Sequence, residues 1–295
     1  MRILVTGREG QVARSLAERA SGHELLFAAR PEFDLSEPRS IERTIDQVRP
    51  DLVISAAAYT AVDTAEDEPG LAMRINGDAP GVIGKAAAKV GAPVLHLSTD
   101  YVFDGHGEQA WRESDSPAPI GVYGKTKLAG EESLAQSGAE YAIIRTAWVY
   151  SPFGANFVRT MLRLAGDRDT LNVVNDQRGN PTSALDIADA LLAIVAAWES
   201  SPRLGVDGIY HFAGTGSTTW DDFARAIFAE STKLGGPGCE VHGIPSADYP
   251  TKAVRPANSQ LDCSKFIDTF GFTAPRWQAS LAETIARLVD RQVSA

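Results

Sequence analysis

The sequence predicts an α/β fold, a doubly wound parallel sheet with a smaller C-terminal lobe. Three observations carry that reading: short apolar runs recur through the first half, amphipathic segments separate them, and a glycine turn directly follows the first run. Strand–helix–strand alternation closes into a parallel sheet with right-handed crossovers, because a twisted strand packs its following helix back onto the sheet only that way. Strands buried on both faces read as continuous apolar runs. Ile3-Leu4-Val5, Leu25-Leu26-Phe27, Leu52-Val53-Ile54, Val94-Leu95-His96-Leu97 and Ala142-Ile143-Ile144 have that character. Between the second and third, Ile41, Ile45 and Val48 recur at the spacing of one helix face, with Ser36 as the expected opening residue and Pro38 in the first turn. Beyond Trp148 the pattern loosens. Helices are expected over 156–165 and 186–198, the second opened by Ser183-x-x-Asp186 as a capping box, with a short strand over 171–174. A strand near 209–212, a helix begun at Thr219-Trp220-Asp221-Asp222 and a last helix over 277–293 follow, while the Gly- and Pro-rich stretch 235–258 reads as irregular loop.

Composition narrows the class. A chain of 295 residues can bury about three quarters of its unfolded surface, so neither a disulfide nor a metal is needed to hold its core. Cys239 and Cys263 lack the spacing of a disulfide framework, and five scattered histidines form no His-x-x-x-His pair, so no metal site is expected. The net charge of −10, from 28 basic against 38 acidic residues, repels phosphate backbones and anionic lipid and argues against nucleic-acid and membrane partners. No apolar run approaches the ~18 residues of a membrane helix, and the N-terminal one is too short for a signal peptide, so a cytoplasmic protein is expected.

Open parallel sheets hold ligands beyond the carboxyl ends of their strands. After the first strand comes Thr6-Gly7-Arg8-Glu9-Gly10-Gln11-Val12-Ala13. Glycine at 7 and 10 permits a tight turn and close approach of backbone to a pyrophosphate; the following helix aims its first amides at the negative charge, and small Ala13 allows close packing. A strand before and a helix after make this a dinucleotide turn of Rossmann type. The end of the second strand chooses the cofactor. An acidic residue there would repel a 2′-phosphate, whereas Ala28-Ala29-Arg30 offers a guanidinium fork, with Arg8 able to help. NADPH is favoured, with NADH the alternative. Asp34 either accepts from the adenine amino group or caps the next helix. The third strand leaves through Ser55-Ala56-Ala57-Ala58-Tyr59-Thr60, where three alanines let the backbone lie against a dinucleotide.

The fourth strand ends Ser98-Thr99-Asp100-Tyr101, and the next helix begins Tyr123-Gly124-Lys125-Thr126-Lys127. Tyr123 and Lys127 stand one helical turn apart on one face. An ammonium near a phenol favours the phenolate, so Lys127 is expected to lower the tyrosine pKa and fit it for proton transfer to a developing alkoxide. Thr99 would hydrogen-bond the substrate carbonyl, and Lys127 could also hold the nicotinamide ribose. Ser98 points to the opposite face of the strand from Thr99 and is expected to be structural.

Together these residues resemble the short-chain dehydrogenase/reductase superfamily, in its extended sugar-nucleotide type, and within it the dTDP-4-dehydrorhamnose reductase family. The likeness runs nearly the full length through Gly7-x-x-Gly10-Gln11-Val12, Ala56 to Asp63, Ser98-Thr99-Asp100-Tyr101-Val102-Phe103, Val122 to Glu131, Arg145 to Tyr150, Asn175-Asp176-Gln177, Pro181-Thr182 and Arg255-Pro256-Ala257-Asn258-Ser259. The resemblance implies catalytic roles for Thr99, Tyr123 and Lys127. It places Gly10, Gln11, Val12, Asp34, Leu35, Ala58, Tyr59 and Thr60 at cofactor contacts, beside Gly7, Arg30 and Ala57 from the reading above. Thr99, Asp100 and Trp148 match sugar-nucleotide contacts, while Trp148 read alone could equally be core. Asn156, Arg255 and Asn258 could bond the base or diphosphate, or equally form surface caps and loop bonds. The implied reaction is NADPH-dependent reduction of the 4-keto group of dTDP-4-dehydro-L-rhamnose to dTDP-L-rhamnose, the last step toward a precursor of cell-surface polysaccharide. The corresponding division is a dinucleotide-binding domain over 1–147, rejoined by roughly 171–200, and a substrate-binding lobe of 148–170 and 201–295.

Two departures accompany the likeness. Some members of the family dimerise around magnesium held by glutamates on the first helix and on the helix after Pro-Thr. Ser15 and Leu185 stand at those positions here, neither a magnesium ligand, so a monomer or a dimer not bridged by magnesium is expected. Ser55 stands where the family often has asparagine. Two other functions stay open: a non-catalytic dinucleotide-binding regulatory subunit, as in methionine adenosyltransferase, whose subunits resemble the same family, or a reductase of another 4-keto deoxysugar nucleotide.

Overall fold

Five strands of the first half and one from the second build a single parallel sheet in a computed structural model that describes residues 1–293. The strands are β1 (Arg2–Thr6), β2 (Glu24–Ala28), β3 (Leu52–Ser55), β4 (Val94–Thr99), β5 (Tyr141–Thr146) and the strand Gly208–His211. Their spatial order is Gly208–His211, β5, β4, β3, β1, β2. The chain therefore starts mid-sheet, moves outward to β2 and crosses back over β1 to β3. The reversal leaves a crevice at the carboxyl ends of β1 and β3, where such sheets take their ligands.

Alternation along the strands divides the core in two. Ile3, Val5, Ile54 and Ile144 face α1 (Gln11–Arg19) and α8 (Ala184–Ser200). Leu4, Val53, Val94 and Ile143 face α2 (Pro38–Val48) and α5 (Ala79–Val90). Ile41 and Ile45 of α2 are wholly buried, worth roughly 1.5–3 kcal/mol each against exposure. Between α2 and α5 run the short α3 (Val62–Ala65) and α4 (Pro69–Ala72), then a π-helical stretch over Met73–Asp78. The helix after β4 is α6 (Val122–Ala135). A third cluster, with Tyr150, Val158, Phe223, Trp277, Leu281 and Ile285, holds α7 (Phe157–Ala165), α9 (Trp220–Lys233) and α11 (Trp277–Val293) together. The remaining helix, α10 (Ser264–Phe270), packs on Gly208–His211.

Several expected details differ. Helix α2 opens at Pro38 with Glu37 as its N-cap, not at Ser36. Proline suits a first helical position because that N–H would have no partner anyway, while Ser36 donates both N–H and hydroxyl to Asp34 Oδ1. Ser183 does cap α8, accepting from Leu185 N–H at 3.3 Å, but Asp186 does not reciprocate; it accepts from Ser280 Oγ at 2.6 Å. The strand Thr170–Val174 lies outside the large sheet and pairs with Glu240–Ile244, inside the stretch read as irregular loop. Only Leu171 and Val173 on it are buried, a period-two pattern that suits a sheet with one solvated face. Conversely, Gly208–His211, which the sequence reading grouped with the second lobe, completes the large sheet beside β5. No helix among the described residues is long and apolar enough to cross a membrane.

Candidate active site

The crevice between β1 and β3 opens into a groove of about 870 Å³. Its floor is the glycine turn. Gly7 has φ +87°, in the left-handed region, and a Cβ there would sit 3.3 Å from Ala57 Cβ, so a side chain would strain the backbone and crowd the third strand. Gly10 caps α1 without a side-chain bond, and the first turn holds no acidic residue, which leaves its N–H groups facing the groove with their partial positive charge. Thr6 Oγ1 accepts from the N–H groups of Ala56 and Ala57, each at 3.0 Å, and so locks the two strand ends together.

All the residues proposed for the cofactor line this groove: Gly7, Gly10, Gln11 and Val12 from the turn, Arg30, Asp34 and Leu35 after β2, Ala57 to Thr60 after β3, and Tyr123 with Lys127 from α6. Arg8 and Arg30 make no salt bridge among the described residues. Asp34 caps no helix; Ser36 holds its carboxyl below the usual range through two hydrogen bonds, with help from Arg30. Gln11 Oε1 accepts from Ser151 Oγ and Asn156 Nδ2, which joins the turn to the following lobe. Tyr59 is fixed by Asn76, which accepts from its N–H and donates to its carbonyl.

At one end of the groove β4 meets α6. Gly124 makes this approach possible, because a Cβ there would lie 2.1 Å from the Tyr101 carbonyl oxygen. The Thr99 side chain lies beside the Tyr123 hydroxyl and partly offsets the rise in its pKa. Thr99 Oγ1 in turn donates to Asp100 Oδ1 at 2.8 Å and accepts from Tyr101 N–H at 3.2 Å. The Tyr101 and Tyr123 rings meet edge to face at 5.6 Å. Lys127 donates to the Leu97 carbonyl at 2.7 Å and meets His96 Nε2 at 3.2 Å.

The electrostatics differ from the expectation. Burial, then the Asp100 carboxylate and Tyr101, push the Tyr123 phenol upward rather than downward. Lys127 is itself buried, which brings its ammonium down to about 8 against some support from Glu131. Its Nζ is turned to Leu97 and His96, so sharing a helix face with Tyr123 does not place an ammonium on the phenol. Asp100 is driven up to about 6 by burial, and its Oδ2 has no partner.

The residues proposed for the sugar nucleotide separate into two groups. Asp100 and Arg255 gather beyond Tyr123: the Arg255 guanidinium opposes the rise that burial gives the Tyr101 phenol, and it donates to Asp63 Oδ2 at 2.7 Å. Asn156 instead caps α7 and donates to Gln11, Ser151 and Phe153, so its amide is taken up by loop bonds. Trp148 stacks on Trp220 at 3.6 Å between centroids, with backbone φ +47°, and packs where a Cβ on Gly179 would collide with it. Ser98, expected to be structural, donates to Glu131, whose carboxylate also takes two hydrogen bonds from buried Arg145, yet it also lines the groove.

One acidic segment joins these parts. Asp63 also accepts from Ala253 N–H, Glu66 accepts from Val122 N–H at the start of α6, Asp67 pairs with Lys252, and Glu68 accepts from the Tyr59 hydroxyl.

Sequence reasoning missed His96, Asn76 and Thr146. Thr146 lines the groove with a buried hydroxyl that lacks a partner. Its position at a strand end was legible; Asn76, inside an irregular helical stretch, carried no signal. Ser15 and Leu185, the positions compared with metal-binding glutamates, are both fully buried, Ser15 donating to the Gln11 carbonyl.

Residues 1–290 match the family described as RmlD substrate binding domain. A dTDP-4-dehydrorhamnose reductase of Sinorhizobium fredii is 45% identical over 290 residues, with 98% of each chain covered. Among solved structures, a dTDP-4-dehydrorhamnose reductase of Clostridium acetobutylicum superposes with a TM-score of 0.89 at 34% identity, covering 98% of this chain and 99% of that one. The Bacillus anthracis enzyme of the same name, solved in complex with NADP, gives 0.88 at 31% identity, covering 97% and 98%.

Proposed function

Because the chain belongs to the RmlD substrate binding domain family, and within it to the dTDP-4-dehydrorhamnose reductases, we propose that it uses NADPH to reduce the 4-keto group of dTDP-4-dehydro-L-rhamnose to dTDP-L-rhamnose, with Tyr123 as proton donor. The observation that carries this reading is that Tyr123 and Lys127, one turn apart on α6, both line the groove. The groove suits a dinucleotide phosphate: the uncapped start of α1 is suited to a pyrophosphate, and Arg30 and Arg8, which line the groove, carry guanidinium groups suited to a 2′-phosphate.

Bound there, NADPH supplies a hydride to the carbonyl carbon. Tyr123 then gives its proton to the oxygen as that oxygen gains charge. A phenol held well above its ordinary range is fully protonated near neutral pH, which is the form a reduction requires. Thr99 flanks the phenol, and its hydroxyl reaches the same oxygen by turning from the Asp100 carboxylate to which it donates. Lys127 directs a remaining N–H into the groove, where a ribose hydroxyl can accept it. Asp100, Trp148 and Arg255 orient the sugar nucleotide, Asn156 acting only through Gln11. In this reading residues 1–147 and the helix over 184–200 serve the cofactor and the second lobe serves the sugar, in a cytoplasmic enzyme whose oligomers, if any, are not bridged by magnesium.

The test is NADPH oxidation by purified protein with dTDP-4-dehydro-L-rhamnose. Tyr123→Phe is expected to lower turnover about 10²–10⁴-fold while NADPH binding persists. Absence of turnover in the parent protein would favour a regulatory subunit, and NMR of the product identifies the C4 epimer.

A further inference from the structure

Lys127 makes two polar contacts with β4, and one of them is to a histidine that the reaction does not otherwise use. His96 on β4 is fully buried, Nδ1 lying 3.0 Å from Ser55 Oγ and Nε2 lying 3.2 Å from Lys127 Nζ. Ser55 on β3 is buried as well. An ammonium has three donors and no acceptor. Nε2 must then accept, which places the ring proton on Nδ1, where the Ser55 oxygen receives it. Burial holds His96 well below its usual range, so the ring is neutral and its lone pair is available.

We infer that His96, with its tautomer fixed by Ser55, is a positioning residue for Lys127: it holds the ammonium charged and aims its remaining N–H at the groove. The inference rests on the reading of Lys127 as part of the active site. Leu97 O and His96 Nε2 occupy two of the three N–H directions, which leaves one for the groove that Lys127 lines. The charged or titratable groups that act on the ammonium are His96 from β4 and Glu131 from α6, the latter already paired with Arg145 of β5. Glu131 thus divides its charge between Arg145 and Lys127, and the histidine lone pair is the neutral acceptor that completes the ammonium's solvation.

Removing that acceptor destabilises the charged amine. A hydrogen bond to a charged group is strong enough to move a pKa by about one pH unit or more. Activity that needs the ammonium is present below its pKa and lost above it, so losing the acceptor brings the alkaline fall of kcat/KM to lower pH. The experiment compares His96→Phe, His96→Gln and Ser55→Ala in the full-length protein. Turnover is followed from pH 6 to 10, and Lys127 Nζ is titrated directly by nitrogen-15 NMR in cofactor-free protein. His96→Phe is expected to lower both the NMR pKa and the alkaline limb by about one pH unit or more. His96→Gln, which keeps an acceptor, restores both in large part. Ser55→Ala, which frees the tautomer, shifts both the same way by less and serves if His96→Phe does not fold. Unshifted values in His96→Phe, or in Ser55→Ala where it stands in, overturn the inference. If Lys127→Met retains full turnover, it is the reading of the active site that fails.

Discussion

Asp100→Asn separates the cost of a buried charge from its use. The Asp100 side chain is almost wholly buried, takes the Thr99 hydroxyl on Oδ1 and leaves Oδ2 without a partner. Moving a carboxyl from the usual 3.8 up to about 6 corresponds to about 3 kcal/mol between its two protonation states. The sign follows from proton counting. Below pH 3.8 the group is protonated whether folded or unfolded, and it costs nothing. Between 3.8 and about 6 the unfolded chain ionises first, so the native state loses stability as pH rises, and above 6 the full penalty of about 3 kcal/mol stands. Asparagine keeps an acceptor for Thr99 and removes the charge, though its amide loses water at a pH-independent cost of about 1–3 kcal/mol. The stability of Asp100→Asn relative to the parent should therefore rise by about 2.5 kcal/mol between pH 4 and pH 8. Urea unfolding followed by fluorescence of the five tryptophans measures this. Asp186, also raised to about 6, titrates alike in both proteins and drops out of the difference. A difference that stays constant from pH 4 to pH 8 refutes the reasoning. Turnover at pH 7 should fall in the same variant, as expected where a costly charge serves substrate.

Three further outcomes are expected. Arg30→Ala should lower the preference for NADPH over NADH about 10- to 100-fold, the worth of one charge-assisted phosphate contact, and an unchanged ratio of kcat/KM values removes the argument. Glu131→Gln leaves buried Arg145 without its counter-charge and should cost about 3–5 kcal/mol, read as a lowered denaturation midpoint; an unchanged midpoint would contradict the pairing at 2.6 Å. Sedimentation in magnesium and after chelation should give one and the same species, since Ser15 and Leu185 offer no ligand; a dimer lost on chelation would show otherwise.

The large sheet was legible because strands buried on both faces leave continuous apolar runs, and all five expected in the first half are present. The same logic fails for half-exposed segments. Thr170–Val174 has the composition of a strand, but its pairing with Glu240–Ile244 depends on a contact some 70 residues away that no local pattern encodes. At the candidate site, spacing brought Tyr123 and Lys127 to one groove but could not predict where the lysine amine points. That depends on His96 and the Leu97 carbonyl, on a different strand, and on burial that depresses the amine and raises the phenol together. Trp148 and Asn156 show the converse limit: residue types suited to ligands are also suited to stacking and helix caps, and Asn156 is engaged in the latter.

The acidic run from Asp63 to Glu68 lets one short piece of chain answer to three others. Asp63 reaches residues 253 and 255, some 190 positions later, while Glu66 holds the first turn of the helix that carries Tyr123. The two halves of the sequence are therefore not exchangeable parts. A hybrid that takes its N-terminal half from one relative and its C-terminal half from another must inherit the 63–67 and 252–255 pieces from the same parent. Otherwise the mismatch at that seam will be felt at Val122, one residue from the phenol, however faithfully each half folds.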